Sequence, residues 1–200
     1  MPASTEWQGP DVLSSGAREA LGLNRDQAYA KLTTTGPGSP EAAELLGGLT
    51  PGQLFTGDVR SSDDARAAIA GLWLYHDFLA ESHAISQELH SPTGSLWHAI
   101  MHRREGDFFN AKYWYARCRH HPAYPAIAAE GAAALKDSHQ APTLAALVRG
   151  QWDPDGFVDV VSAIHDKPND PMYAAAVELQ RAEWRGLFGH CVRAAAGRGA

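Results

Sequence analysis

Apolar positions recur every three or four residues along most of the chain, and no segment alternates long enough to read as a strand. The pattern predicts helices over 11–21 and 24–32, followed by a breaker-rich stretch, 33–40, that reads as a linker. A short helix is expected over 41–46. Ser62, followed by Asp63 and Asp64, offers an N-cap with acids in the first turn, where they meet the helix dipole. The periodic run that begins there carries to about Leu89 as one or two helices. Turn formers over 90–95 precede a helix over 96–105. Gly106-Asp107 breaks or kinks it before a continuation over 108–118. Further helices fit 126–136 and 142–149, and Asp153-Pro154 and Asp170-Pro171 open two more, over about 154–165 and 171–195. The expected fold is all-α: an irregular multi-helix bundle forming a single domain over 41–200, with an N-terminal extension and linker over 1–40.

Composition narrows the function classes. At 44% hydrophobic and 20% charged residues, the chain of 200 residues has the makeup of one globular domain, not of a disordered segment. A net charge of −6 argues against general nucleic-acid binding. No apolar run approaches the roughly 18 residues that a membrane span needs. Residues 1–10 have neither a basic start nor an apolar core, so no signal peptide is expected. Cys118 and Cys191, far apart, read as reduced buried thiols. These features predict a cytoplasmic protein with no nucleic-acid and no membrane partner.

The candidate chemistry is concentrated between His76 and Arg119. On a helical projection His76, His83 and His90 fall within about 40° of one another, because seven residues make nearly two turns. Asp77, Glu81 and Glu88 fall on the opposite arc and are expected to be solvated. A lone histidine on a partly apolar face is more often a satisfied core residue than a ligand, and three in line shift that balance only in part. His98 and His102, four residues apart, share a helical face and can share a metal ion, and Glu105 stays on the same face. Ala99 occupies the place where a His-Glu-x-x-His protease has its glutamate. The order His102-x-x-Glu105 is the reverse of the di-iron motif, so neither family is indicated. Arg103, Arg104, Lys112, Arg117 and Arg119 stand among Trp97, Phe108, Phe109, Tyr113, Trp114 and Tyr115. Arginine forks beside flat aromatic walls suit an organic anion, although such side chains also pack together with no ligand. Asn110 and Tyr113 lie on one face and are candidates to orient it. His120, His121, His139, His165 and His190 read as surface or structural residues.

The strings Leu74-Tyr75-His76-Asp77-Phe78-Leu79-Ala80-Glu81-Ser82-His83, Trp97-His98-Ala99-Ile100-Met101-His102-Arg103-Arg104-Glu105-Gly106-Asp107, Lys112-Tyr113-Trp114-Tyr115 and Ala182-Glu183-Trp184-Arg185-Gly186-Leu187-Phe188 resemble an uncharacterised family of helical microbial proteins. The resemblance spans roughly residues 60 to 195 and implies a single helical domain, with no activity attached.

The residues themselves favour a metal-dependent enzyme acting on a small anionic organic molecule. His83, His98 and His102 would hold a divalent transition metal (zinc or iron), and His76 and Glu105 are the catalytic candidates. Arg103, Arg104, Asn110, Tyr113 and Trp114 would bind the substrate. Two alternatives are a non-catalytic binding or regulatory module for an acidic ligand or partner, with structural histidines, and metal-free acid–base chemistry by one histidine tuned by Glu105 or Asp107.

Overall fold

Side-chain caps set many of the helix boundaries. Ser14, Ser39, Ser61, Ser91, Asp107 and Asp153 each accept a backbone N–H of the first turn, and three of these caps are followed by proline, whose missing N–H costs nothing there. The computed structural model describes residues 10–136 and 142–198. Positions 1–9, where a leader was judged absent, lie outside the described residues, as do His139 and the C-terminal end of the 41–200 unit.

The described residues form ten α-helices in chain order: α1 Ser15–Gly22, α2 Pro40–Gly47, α3 Ser62–Tyr75, α4 Leu79–Ser86, α5 Pro92–Glu105, α6 Phe108–Tyr115, α7 Tyr124–Ala134, α8 Pro142–Ala146, α9 Pro154–Ile164 and α10 Tyr173–Ala195. Among the described residues the only extended pairing is one isolated bridge, Leu13 to Phe55. The fold is all-α, as the periodicity predicts. α10 runs through the centre, packing against α3 and α7, and α5 packs against α3, α4 and α6. Trp184 of α10 anchors the middle. It stacks on Phe188 at 4.6 Å between ring centres and donates from Nε1 to the Gly71 carbonyl at 2.8 Å.

Two expectations about the chain's organisation change. The 24–32 segment forms turns instead of a helix, with Asn24 and Tyr29 at positive φ. Yet Leu13, Ala17, Leu21, Tyr29 and Leu32 are buried in the common core, so residues 10–32 are built into the helical body and do not form a peripheral extension. Breakers such as those over 33–40 end helices, but they do not prevent burial. The Lys31 carbonyl accepts from Gln180 and from Arg104, and the Thr34 N–H donates to the Arg104 carbonyl at 2.8 Å.

The second change is a break after Tyr75. His76 caps α3 and Asp77 takes a left-handed conformation (φ 65°), so the phase of the periodic run is lost before α4 begins. The three-histidine line therefore does not exist. His76 is buried and donates from Nε2 to the Ala20 carbonyl at 2.8 Å, and His90 sits exposed in the turn after α4. Asp77 is not a solvated acid either: it pairs with Arg104. Glu81 and Glu88 are exposed, as expected.

The short 87–91 turn brings α4 back against α5. An added Cβ at Gly94 would lie 2.1 Å from the Leu89 carbonyl oxygen, so only glycine lets the first turn of α5 approach this closely. Gly106, at φ 89°, then ends α5 in the left-handed cap that glycine adopts without strain.

Candidate metal centre

α4 contributes His83, and successive turns of one face of α5 contribute His98 and His102. One nitrogen from each ring lies within 4.8 Å of the others. The ring centres of His83 are 4.6 Å from those of His98 and 5.7 Å from those of His102, and His98 and His102 are 4.7 Å apart. A tetrahedral zinc with bonds of about 2.0–2.1 Å sets its ligands about 3.4 Å apart, so closing the set takes ring movements on the order of an ångström.

His98 is 4% exposed, and its Nδ1 has no hydrogen-bond partner. A buried donor or acceptor left unmade costs roughly 1–3 kcal/mol, and among the buried polar atoms without a partner this is the one that belongs to the histidine group. Burial, and then the neighbouring His102 and His83, push the His98 pKa down to about 4. Burial, followed by His102, also lowers that of His83. Both rings are thus neutral at pH 7, the form that donates a lone pair to a metal. His102 donates from Nδ1 to Glu105 Oε1 at 2.6 Å, which leaves its Nε2 lone pair available. Glu105 holds a ring in place here. His102, Glu105 and Asp107 also bring ligand atoms within 4.8 Å of one another.

The other expected site residues are distributed differently. Trp114 belongs to the centre, because its indole lies flat against His98 at 4.0 Å with 13° between planes. Tyr113 is 52% exposed and meets Trp114 edge-on. Asn110 is engaged by the Asp107 cap, donating from Nδ2 to Oδ2 at 2.7 Å. His76, facing the Ala20 carbonyl, stands outside the histidine group that could hold a metal.

Arg103 and Arg104 were expected to place at least one fork in a pocket walled by Trp97, Trp114 or Tyr113. Both are instead 0% exposed and used inside the fold. Arg103 pairs with Glu183, donates to Tyr115 Oη at 2.6 Å and lies 4.5 Å over the Phe157 ring, while Tyr115 donates to Glu183 at 2.8 Å. Burial alone would lower the Arg103 pKa, but the Glu183 carboxylate and Tyr115 raise it above its ordinary value. Arg104 pairs with Asp77 and the Lys31 carbonyl and lies 4.3 Å over the Tyr29 ring. The physical reason is that the terminal nitrogens of both find partners from distant parts of the chain: Glu183 for Arg103, Asp77 and Lys31 for Arg104. The two cysteines are free and buried, and burial raises both thiols to about 12, so neither supplies a thiolate at neutral pH.

A second histidine group lies away from this centre. The His121 ring meets that of His190 at 5.0 Å, with Thr93 Oγ1 3.1 Å from Nε2, and Nδ1 accepts the Ala123 N–H at 3.1 Å. Residues from three elements meet here, with no short-range spacing to announce them. Burial, followed by His190, lowers the His121 pKa to about 3. Burial likewise lowers that of His190, against the pull of Asp64 and with the push of Arg193. Unfolded histidine binds its proton near pH 6.5, so this pair's contribution is present above that pH and is lost as pH falls toward the folded values. Stability should therefore drop on acidification from pH 6.5, by about 1.4 kcal/mol per pH unit for each proton taken up only by the unfolded chain. Urea midpoints measured between pH 7 and pH 4.5 check this against a His121→Phe variant, whose slope should be shallower. Equal slopes would rule out the pair as the source.

Comparison with protein-family models, curated proteins and solved structures finds no match to this chain.

Proposed function

We propose that this chain is a metal-dependent enzyme acting on a small anionic organic substrate, with zinc held by His83, His98 and His102. The observation that carries the reading is that one nitrogen from each of three imidazoles lies within 4.8 Å of the others, in a group whose His98 also has a buried, unpartnered Nδ1. Three imidazole nitrogens, with no fourth ligand in the group among the described residues, match the donor set of catalytic zinc, which keeps a position open. Iron is the weaker fit, because its usual site wants a carboxylate in the first shell and Glu105 is directed to His102 Nδ1. A bound zinc would supply Lewis acidity toward water or a substrate oxygen. The chain's own part is to hold the rings. α5 fixes two of them one turn apart, Trp114 braces His98, and Glu105 orients His102. Partial exposure of His83 and His102 leaves the group open on one side.

Protein purified without a histidine tag and stripped with a chelator should take up one zinc per chain. Cobalt in its place should give the intense visible bands of a tetrahedral site. The loaded form should turn over members of a panel of small carboxylate and phosphate esters that the stripped form leaves intact. Absence of stoichiometric zinc uptake at micromolar protein would overturn the reading.

A further inference from the structure

A cleft of about 480 Å³ opens beside the histidine group, at the turn joining α4 to α5. Ser86 and Ser95 line it, and each lies three residues, about 4.5 Å of rise, from a proposed metal ligand: Ser86 from His83 on α4, Ser95 from His98 on α5. Trp114 forms a wall of the cleft and is the same indole that lies against His98. Arg117 stands at its edge. Its guanidinium is 5.3 Å from the Trp114 ring centre and 5.7 Å from that of Tyr113, and it donates to Tyr113 Oη at 3.2 Å. Among the described residues it meets no carboxylate. Arg103 and Arg104 each pair with a carboxylate, whereas this arginine is aimed by aromatic rings and keeps its charge unmatched.

We infer that Arg117 and the cleft beside Trp114 form the anion subsite of the metal centre, and that the group they take is a carboxylate on a small, flat organic body. The volume falls within the range of small-molecule sites, and Leu89 and the indole offer apolar surface to the body of such a ligand. The Ser91 and Ser95 hydroxyls can donate to oxygens that the guanidinium leaves unmatched, whereas that of Ser86 donates to the His83 carbonyl at 3.3 Å. No second permanent cation lines the cleft, so one negative charge is balanced where a phosphate dianion is not. The link to chemistry rests on the zinc reading. Binding of the carboxylate does not.

Benzoate is the probe, titrated calorimetrically into chelator-stripped protein and into zinc-loaded protein, with phenyl phosphate as comparison. Benzoate should bind both forms. Arg117→Gln and Arg117→Lys should each weaken it at least tenfold, the latter because the charge survives but the fork is lost, while zinc uptake stays unchanged. Arg117 is exposed and holds no part of the core, so both variants should keep the wild-type melting temperature. If benzoate binding depends on Arg117 but zinc is not taken up, the subsite stands and the metal assignment falls. If phenyl phosphate binds better than benzoate through the same arginine, the carboxylate assignment is overturned. The subsite itself is overturned if benzoate fails to bind, or binds Arg117→Gln as it binds wild type.

Discussion

Replacing His98 with alanine should weaken zinc binding by at least about 100-fold, more than is usual for loss of a residue that only supports a ligand. His98 is the middle member of the group, in ring contact with both His83 and His102. Its loss leaves two nitrogens on different helices, and two ligands do not hold zinc against a competing chelator. The cost to the metal-free fold should be much smaller. The deleted ring carried an unsatisfied nitrogen, so part of what the lost packing against Trp114 costs is offset. Competition with a chromophoric chelator gives the affinity, and urea unfolding of the stripped forms gives the stability. A zinc affinity within threefold of wild type would show that the three rings are a core cluster and not a ligand set.

The second large effect is expected at Glu183. Changing it to glutamine or alanine leaves the Arg103 charge in the core without its counter-ion, with its Nε already lacking a partner. Breaking a buried pair from one side costs about 3–5 kcal/mol. Tyr115 also loses the acceptor of its hydroxyl, so the tie between α5, α6 and α10 loosens at both points. Joint replacement, Arg103→Met with Glu183→Leu, should recover most of the loss, because the cost lies in the uncompensated charge and not in missing volume. Urea midpoints for the single and double variants check both statements. A single-variant loss under about 1 kcal/mol would mean that water reaches this pair.

The parts of the structure legible in the sequence are those decided over short range. The proline-flanked cap at Asp153 and the stop at Gly106 depend on neighbours a few residues away, and helices begin or end near each, whereas α5 starts at Pro92, about one turn before the turn over 90–95 was expected to give way to it. His98 and His102 were legible for the same reason, because the spacing of four alone puts them on one face. His83 was placed correctly in the group although the argument through a continuous stripe did not hold. The α4–α5 turn delivers it, not the alignment with His76 and His90.

What could not be read depends on partners far along the chain. Arg103 and Arg104 look like surface charges in a basic, aromatic stretch. Nothing local to them shows that Glu183 waits 80 residues away, or that Asp77 turns inward at a left-handed break. The sequence displays the charge of an arginine but not its burial, and the ligand role went to the two cations that the fold consumes. The His121–His190 contact is hidden in the same way, by separation along the chain.

The two halves of the metal centre are held very differently. α5 is buried along most of its length and locked from behind by two arginines. α4 has eight residues, no side-chain cap at its start and only Ser82 and Ser86 buried. The third ligand therefore rides on the lighter element. Ion exchange would then be gated by the brief undocking of α4, which lifts His83 away while the α5 pair stays in place. Were zinc held as proposed, the rate of its exchange would be set by this small helix.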